Sequence, residues 1–308
     1  MPRANVAENT ILFVAHPGHE LCVYGWTQQT RPDVCVLTDG SGHDGRSRIN
    51  STTTLLRRAG ACPGSIYGSL TDAEVYRAIL NYDIDLFAGI AEQFADELTA
   101  GDVTSVAGDA IEGFNPAHDL CRLIINAGVR LARKRSGRMI VNREFPIVAH
   151  SSARPSSADI NLIWTELTDQ EFEAKLKAAR AYEGLQPEVD AAFNGAAPLR
   201  DQSGELAAVF ISDYDSRDIQ AYRVEMLRSA DEDFVTKMFL EDPPFYERYG
   251  ESRVAMGYYQ DVIRYREHML PLAQALESKV NQQCLTIAAQ TASATSPEPG
   301  YGLKSNTL

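Results

Sequence analysis

Disulfide chemistry is nearly absent from this sequence. Its five cysteines, at positions 22, 35, 62, 121 and 284, are odd in number, far apart and mostly set among apolar neighbours. That pattern fits neither a disulfide framework nor a paired-cysteine zinc site, and it reads as buried thiols. No apolar run approaches the roughly 20 residues that a membrane helix needs, and the opening residues MPRANVAENT lack the apolar core, about 7 to 15 residues long, of a signal peptide. A cytoplasmic protein without a membrane partner is the expectation. Positive charge is in deficit: 29 Lys and Arg stand against 42 Asp and Glu, and the resulting net charge of −13 repels nucleic acid and acidic membranes. The one basic cluster, RLARKRSGR at 130–138, is either a local anion site or the solvated last turn of a helix, which the macrodipole favours. No internal repeat is visible.

What is present suits a folded α/β protein, since 44% of the 308 residues are apolar, enough for a sizeable core. In the first half, strand-like and helix-like segments alternate. ILFVA (11–15), VCVLT (34–38), SIYGS, VTSVAG (103–108) and either RMIVN or PIVAH read as strands. Between them, residues 19–29, 47–59, 82–100 and 117–134 read as helices. Such alternation predicts a mostly parallel, Rossmann-like sheet with helices on both faces, over residues 1–165. From about 166 to 285 the pattern is mainly helical, with a Thr-capped acidic start in TDQEFEAKLKAARAYEG, a long amphipathic run over 254–280 and one more strand in LAAVFIS (206–212). This half is expected to pack on the sheet as an extension. Residues 286–308 are rich in Ser, Thr, Pro and Gly and are expected to be disordered.

The chemistry is concentrated at strand ends. ILFVAHPGHE places His16 at the carboxyl end of the first strand, Pro17 where a helix can start, and His19 three residues on, facing roughly the same side. Parallel sheets bind ligands outside the carboxyl ends of their strands. A third histidine, His118, follows the strand VTSVAG in EGFNPAHDLC, so the sheet could bring three imidazoles to one metal ion. By contrast, His43, His150 and His268 read as hydrogen-bonded or surface histidines.

These segments resemble the zinc-dependent N-deacetylases of PIG-L/LmbE type. VAHPGHE is similar to that family's AHPDDE signature, VCVLTDGSGHDGRSR to its second strand and TDG loop, GFNPAHDLC to its HPDH motif, and KLKAARAYEG to a later helix. The resemblance covers residues 10–135 and fades over the last 120. It implies a metal site of His16, His19 and His118, where His19 stands in place of the family's aspartate ligand. It also exposes losses: Gly18 stands where the family has its general-base aspartate, Asn115 and Ala117 replace the first His and the Asp of HPDH, and Ser51 replaces a glutamate. Three neutral histidines leave zinc with its full +2 charge, against about +1 with an aspartate ligand, which favours activating water by Lewis acidity with less help from a base.

For proton transfer, Glu112 and Glu20 are the candidate catalytic residues, although Glu20, directly after a ligand, also suits the orienting of a neighbour. Asp39, His43, Arg48 and Asn115 are the candidate substrate-binding residues. The resulting expectation is a hydrolase with one Zn2+, or another divalent transition metal, per chain. It would remove an N-acyl group from a polar, amino-sugar-like small molecule. Two alternatives stand beside it. The first keeps fold and metal without amide hydrolysis, as a binding protein or an enzyme of another metal-dependent reaction. The second is dinucleotide binding by the glycine loop Gly40–Gly45, which matches G-x-G-x-x-G after a strand but not after the first one. Oligomeric state is not readable from the sequence.

Overall fold

A computed structural model describes residues 9–42, 45–148, 159–193 and 219–294. The strand-helix alternation is realised as β1 (Thr10–Val14), α1 (Tyr24–Thr30), β2 (Asp33–Thr38), α2 (Ile49–Ala59), β3 (Cys62–Leu70), α3 (Asp72–Leu80), α4 (Ile84–Ala100), β4 (Ser105–Asp109), α5 (Pro116–Ser136) and β5 (Val141–Phe145). Strands β1 to β5 are all parallel, in the order β3-β2-β1-β4-β5. Two strands from the second half, β6 (Ile163–Glu166) and β7 (Val224–Ser229), extend this sheet antiparallel beyond β5. The architecture is thus a mostly parallel α/β sheet with C-terminal helices.

Strand β1 is buried along its whole length, as its unbroken apolar run requires of a central strand covered on both faces. Alternate residues feed two cores. Ile11, Phe13 and Ala15 join α3, α4 and α5 on one face, whereas Leu12 and Val14 join Tyr24, Trp26, Leu55 and Leu56 on the other. The second half contributes α6 (Asp169–Arg180), α7 (Gln186–Phe193), α8 (Phe245–Ala255) and α9 (Leu270–Ala294).

Several features depart from the sequence expectation. Helix α3 is absent from it, although Thr71 and Glu74 form a capping box at its start. The run over 254–280 is not one helix: Gly257, at φ +77°, follows the end of α8, and a π-type turn at Tyr265–Met269 leads into α9. Helix α9 continues to Ala294, into the segment expected to be disordered, while 295–308 lie outside the described residues. The expected strand at 206–212 also lies outside them, as do His43 and His150. Of the five thiols, Cys35 and Cys121 are buried, Cys22 and Cys284 half-buried, and Cys62 exposed.

The basic cluster at 130–138 closes α5 and pairs with acidic neighbours, Arg133 with Glu232, Arg135 with Asp96 and Arg138 with Asp102. No helix among the described residues is long and apolar enough to cross a membrane.

Candidate metal centre

Strand order reverses direction at β1: β2 and β3 lie on one side and β4 and β5 on the other. In open parallel sheets this switch point opens a crevice at the carboxyl ends of the two diverging strands. His16 and His19 follow β1, and His118 lies in the first turn of α5, which follows β4. Topology alone therefore brings them together. The ring centroids are 5.4 Å apart for His16 and His19, 5.0 Å for His16 and His118, and 4.5 Å for His19 and His118.

Three imidazoles around one tetrahedral ion, each with a metal–nitrogen distance of about 2.0–2.1 Å, have centroids roughly 5 Å apart. The observed spacing matches. Moreover, His16 Nε2 and His118 Nδ1 are buried without a hydrogen-bond partner, as a nitrogen reserved for a metal would be. Burial pushes the pKa of both rings down, that of His118 well down, which keeps them neutral and able to donate a lone pair. Among the described residues no group of three or more His, Cys, Asp or Glu side chains is arranged to hold a metal ion as it stands. At least one ring must turn for three nitrogens to meet.

Each of the first two rings is anchored through Nδ1. His16 Nδ1 lies 2.8 Å from Thr38 Oγ1, at the end of β2, and 3.0 Å from Asp72 Oδ1, at the start of α3. The second contact is poorly aligned, because that oxygen has no hydrogen-bond donor. Burial raises the Asp72 pKa, but the opposing effects of the neighbouring His16, Thr38 and the Gly42 amide outweigh it and hold the carboxyl well below the usual range. His19 Nδ1 lies 2.8 Å from Asp109 Oδ2, the same oxygen that accepts from the Ala15 amide at 2.8 Å. Asp109 is fully buried at the end of β4, and its carbonyl accepts from Arg122 Nε, a buried guanidinium that also bonds Asn142 and the Arg143 carbonyl of β5. Thr38, Asp72 and Asp109 are absent from the sequence-based site. The signal for Asp109 is a charged residue ending a fully buried strand; the expected strand stops one residue short of it.

The two carboxylates expected to carry protons have other occupations. Glu20 is buried; its Oε2 accepts from the Gly18 amide at 2.7 Å and its Oε1 from the Thr52 hydroxyl at 2.7 Å. Glu112 accepts from the amides of Ile147 and Val148, fastening the loop before α5 to the end of β5. These bonds tie both carboxylates to loops around the histidines.

Gly18 adopts φ +113°, a conformation side chains rarely take, and a β-carbon there would come 2.4 Å from Leu185 Cδ1. Leu185, in the second half, fills the space into which a side chain at position 18 would project.

Among the candidate substrate-binding residues, Asp39 bonds the Ser41 amide within its own loop. Arg48 Nε donates to the Gly40 carbonyl at 2.7 Å, and its charge acts on His16. Asn115 caps α5: its Oδ1 accepts from the Ala117 amide and the Tyr76 hydroxyl. The glycine loop considered for a dinucleotide is described here at Gly40–Gly42. The amides of Gly40, Ser41 and Gly42 are donated to Thr38 Oγ1, Asp39 Oδ1 and Asp72 Oδ2. His268 accepts from the Arg264 amide and stacks on Tyr82, a structural role.

No protein-family model matches the chain, and no curated protein matches it. Among solved structures, it is similar to the A40926 pseudoaglycone deacetylase at 14% identity, over 73% of this chain and 98% of that one, with a TM-score of 0.47. It is also similar to the zinc-inhibited form of teicoplanin deacetylase, at 13% identity over 73% and 100% of the two chains, with a TM-score of 0.44.

Proposed function

We propose that this protein is a metal-dependent hydrolase that removes an N-acyl group from a polar, sugar-like amide, with zinc held by His16, His19 and His118. The observation that carries this reading is the meeting of three imidazoles from separate segments at the switch point of the sheet, with two buried nitrogens lacking partners. The motif resemblance across residues 10–135 supports the same chemistry.

A zinc ion at this position would supply Lewis acidity, polarising the amide carbonyl and activating water. The chain does the rest by positioning. Thr38, Asp72 and Asp109 hold the first two rings, and burial keeps His16 and His118 uncharged. Glu20 shapes the His-Pro-Gly-His turn by taking the Gly18 amide. Arg48 provides a cation beside His16 for a hydroxyl-rich or anionic part of the substrate. With Gly18 carrying no side chain and the Asn115 oxygen committed to capping, catalysis here leans on the metal and on orientation more than on a dedicated carboxylate base.

The test is release of carboxylate from N-acylated amino sugars by protein stripped with a chelator and then reloaded with zinc. Turnover that requires zinc, and that falls at least about 100-fold in His118→Ala, is expected. Binding of zinc without turnover on acylated amino sugars and related amides would replace this reading with a non-hydrolytic metal protein.

A further inference from the structure

We infer that Asp109 and Asp72 are positioning residues that fix the tautomers of His19 and His16, so that both rings carry their proton on Nδ1 and present a bare Nε2 to the centre. The inference rests on the metal reading above but concerns residues outside the ligand set. Asp109 Oδ2 already accepts the Ala15 amide, so it acts as an acceptor, and the ring nitrogen 2.8 Å away must bring the proton. For His16, the nitrogen 3.0 Å from an aspartate oxygen is the one favoured to carry N–H, with Thr38 as the aligned acceptor; Nε2 is then the buried atom without a partner. A carboxylate on the outer nitrogen of a ligating histidine both orients the ring and strengthens the lone pair on the other nitrogen. Asp109 also acts on the backbone. By holding the Ala15 amide it couples the end of β1, which launches His16 and His19, to the end of β4, which leads to His118.

The experiment is 15N NMR of the histidine rings in metal-free protein, followed by zinc competition against a chromophoric chelator. Wild type is expected to show His16 and His19 as Nδ1–H tautomers. In Asp109→Ala the acceptor beside His19 Nδ1 is gone, so the ring proton shifts toward Nε2 and zinc affinity falls by about 10- to 100-fold. Asp109→Asn, whose oxygen can keep both the Ala15 amide and the His19 Nδ1–H, retains the wild-type tautomer. Asp72→Asn, at a less buried position, can keep its oxygen on the Gly42 amide and turn an N–H toward His16, which does the same to that ring and serves if Asp109→Ala fails to fold. A wild-type His19 protonated on Nε2, or an unchanged ring pattern in both Asp109→Ala and Asp72→Asn, would overturn the inference. Correct tautomers in a protein that does not bind zinc would uphold it while removing the metal reading, so the two fail separately.

Discussion

Tyr182, in the C-terminal half, reaches Glu20, beside the histidine turn, through one hydroxyl: Tyr182 Oη lies 2.7 Å from Thr52 Oγ1, which donates to Glu20 Oε1 at 2.7 Å. All three groups are buried, so the relay joins the helical half to the turn that carries His16 and His19. Thr52→Val keeps the shape but leaves a carboxylate oxygen and a phenol unpaired, and an unmet buried acceptor costs about 1–3 kcal/mol. Urea denaturation is expected to show a loss in that range. A change below about 0.5 kcal/mol, typical of an exposed site, would mean that the relay does not hold the turn.

Placing at position 18 the aspartate of the deacetylase motif that this segment resembles is expected to fail. The Gly18 backbone at φ +113° and the Leu185 methyl both stand against a side chain, and a non-glycine residue in such a conformation costs of order 1–3 kcal/mol. Gly18→Asp should lower the unfolding midpoint without raising turnover. Increased turnover in this variant, or in Gly18→Asp combined with Leu185→Ala, would show that position 18 can still accommodate a base.

The second half is also locked to the site by a buried ion pair. Lys175 Nζ donates to Glu225 Oε1 at 2.9 Å and to the Cys22 carbonyl, and Glu225 takes the amides of Gly25 and Trp26 in the first turn of α1. Lys175→Met strands that carboxylate in the core and is expected to cost about 3–5 kcal/mol in equilibrium unfolding. Adding Glu225→Gln, which still accepts an amide, should recover part of the loss. A single-variant cost no larger than that of an exposed pair would contradict this account of how the halves are joined.

The cap of α6 sets a pH dependence. Glu171 accepts from the Thr168 amide and hydroxyl, and these bonds hold its carboxyl below the usual glutamate range. Its folded pKa lies below its unfolded one, so the stability it adds is present above the ordinary value of about 4.3 and is lost as pH falls through the folded value. The stability gap between wild type and Glu171→Ala should be open at pH 6 and closed in strong acid. A gap that widens on acidification would reverse the assignment.

Much of the fold is legible in the sequence because its signals are periodic or punctuated. The apolar run 11–15 reads as a buried strand and is one, and the Thr168 cap and acidic first turn mark the start of α6. The histidines are legible because topology, not detailed packing, brings strand ends together. What escapes the sequence depends on partners distant along the chain. Asp109 meets His19 from 90 positions away, and the amide donors of Glu20 and Glu112 cannot be seen from sequence. Gly18 reads as a missing base in the motif; its left-handed backbone and the Leu185 methyl beside it, far along the chain, are visible only in the structure.

The central claim is that three imidazoles share one ion, and metal content tests it most directly. Elemental analysis of wild type beside His16→Ala, His19→Ala and His118→Ala, after equilibration with zinc and removal of loosely held metal, should give about one zinc per chain in wild type and clear loss in each variant. Equal zinc in wild type and in any of the three variants would remove that histidine from the ligand set and, with it, the proposed centre.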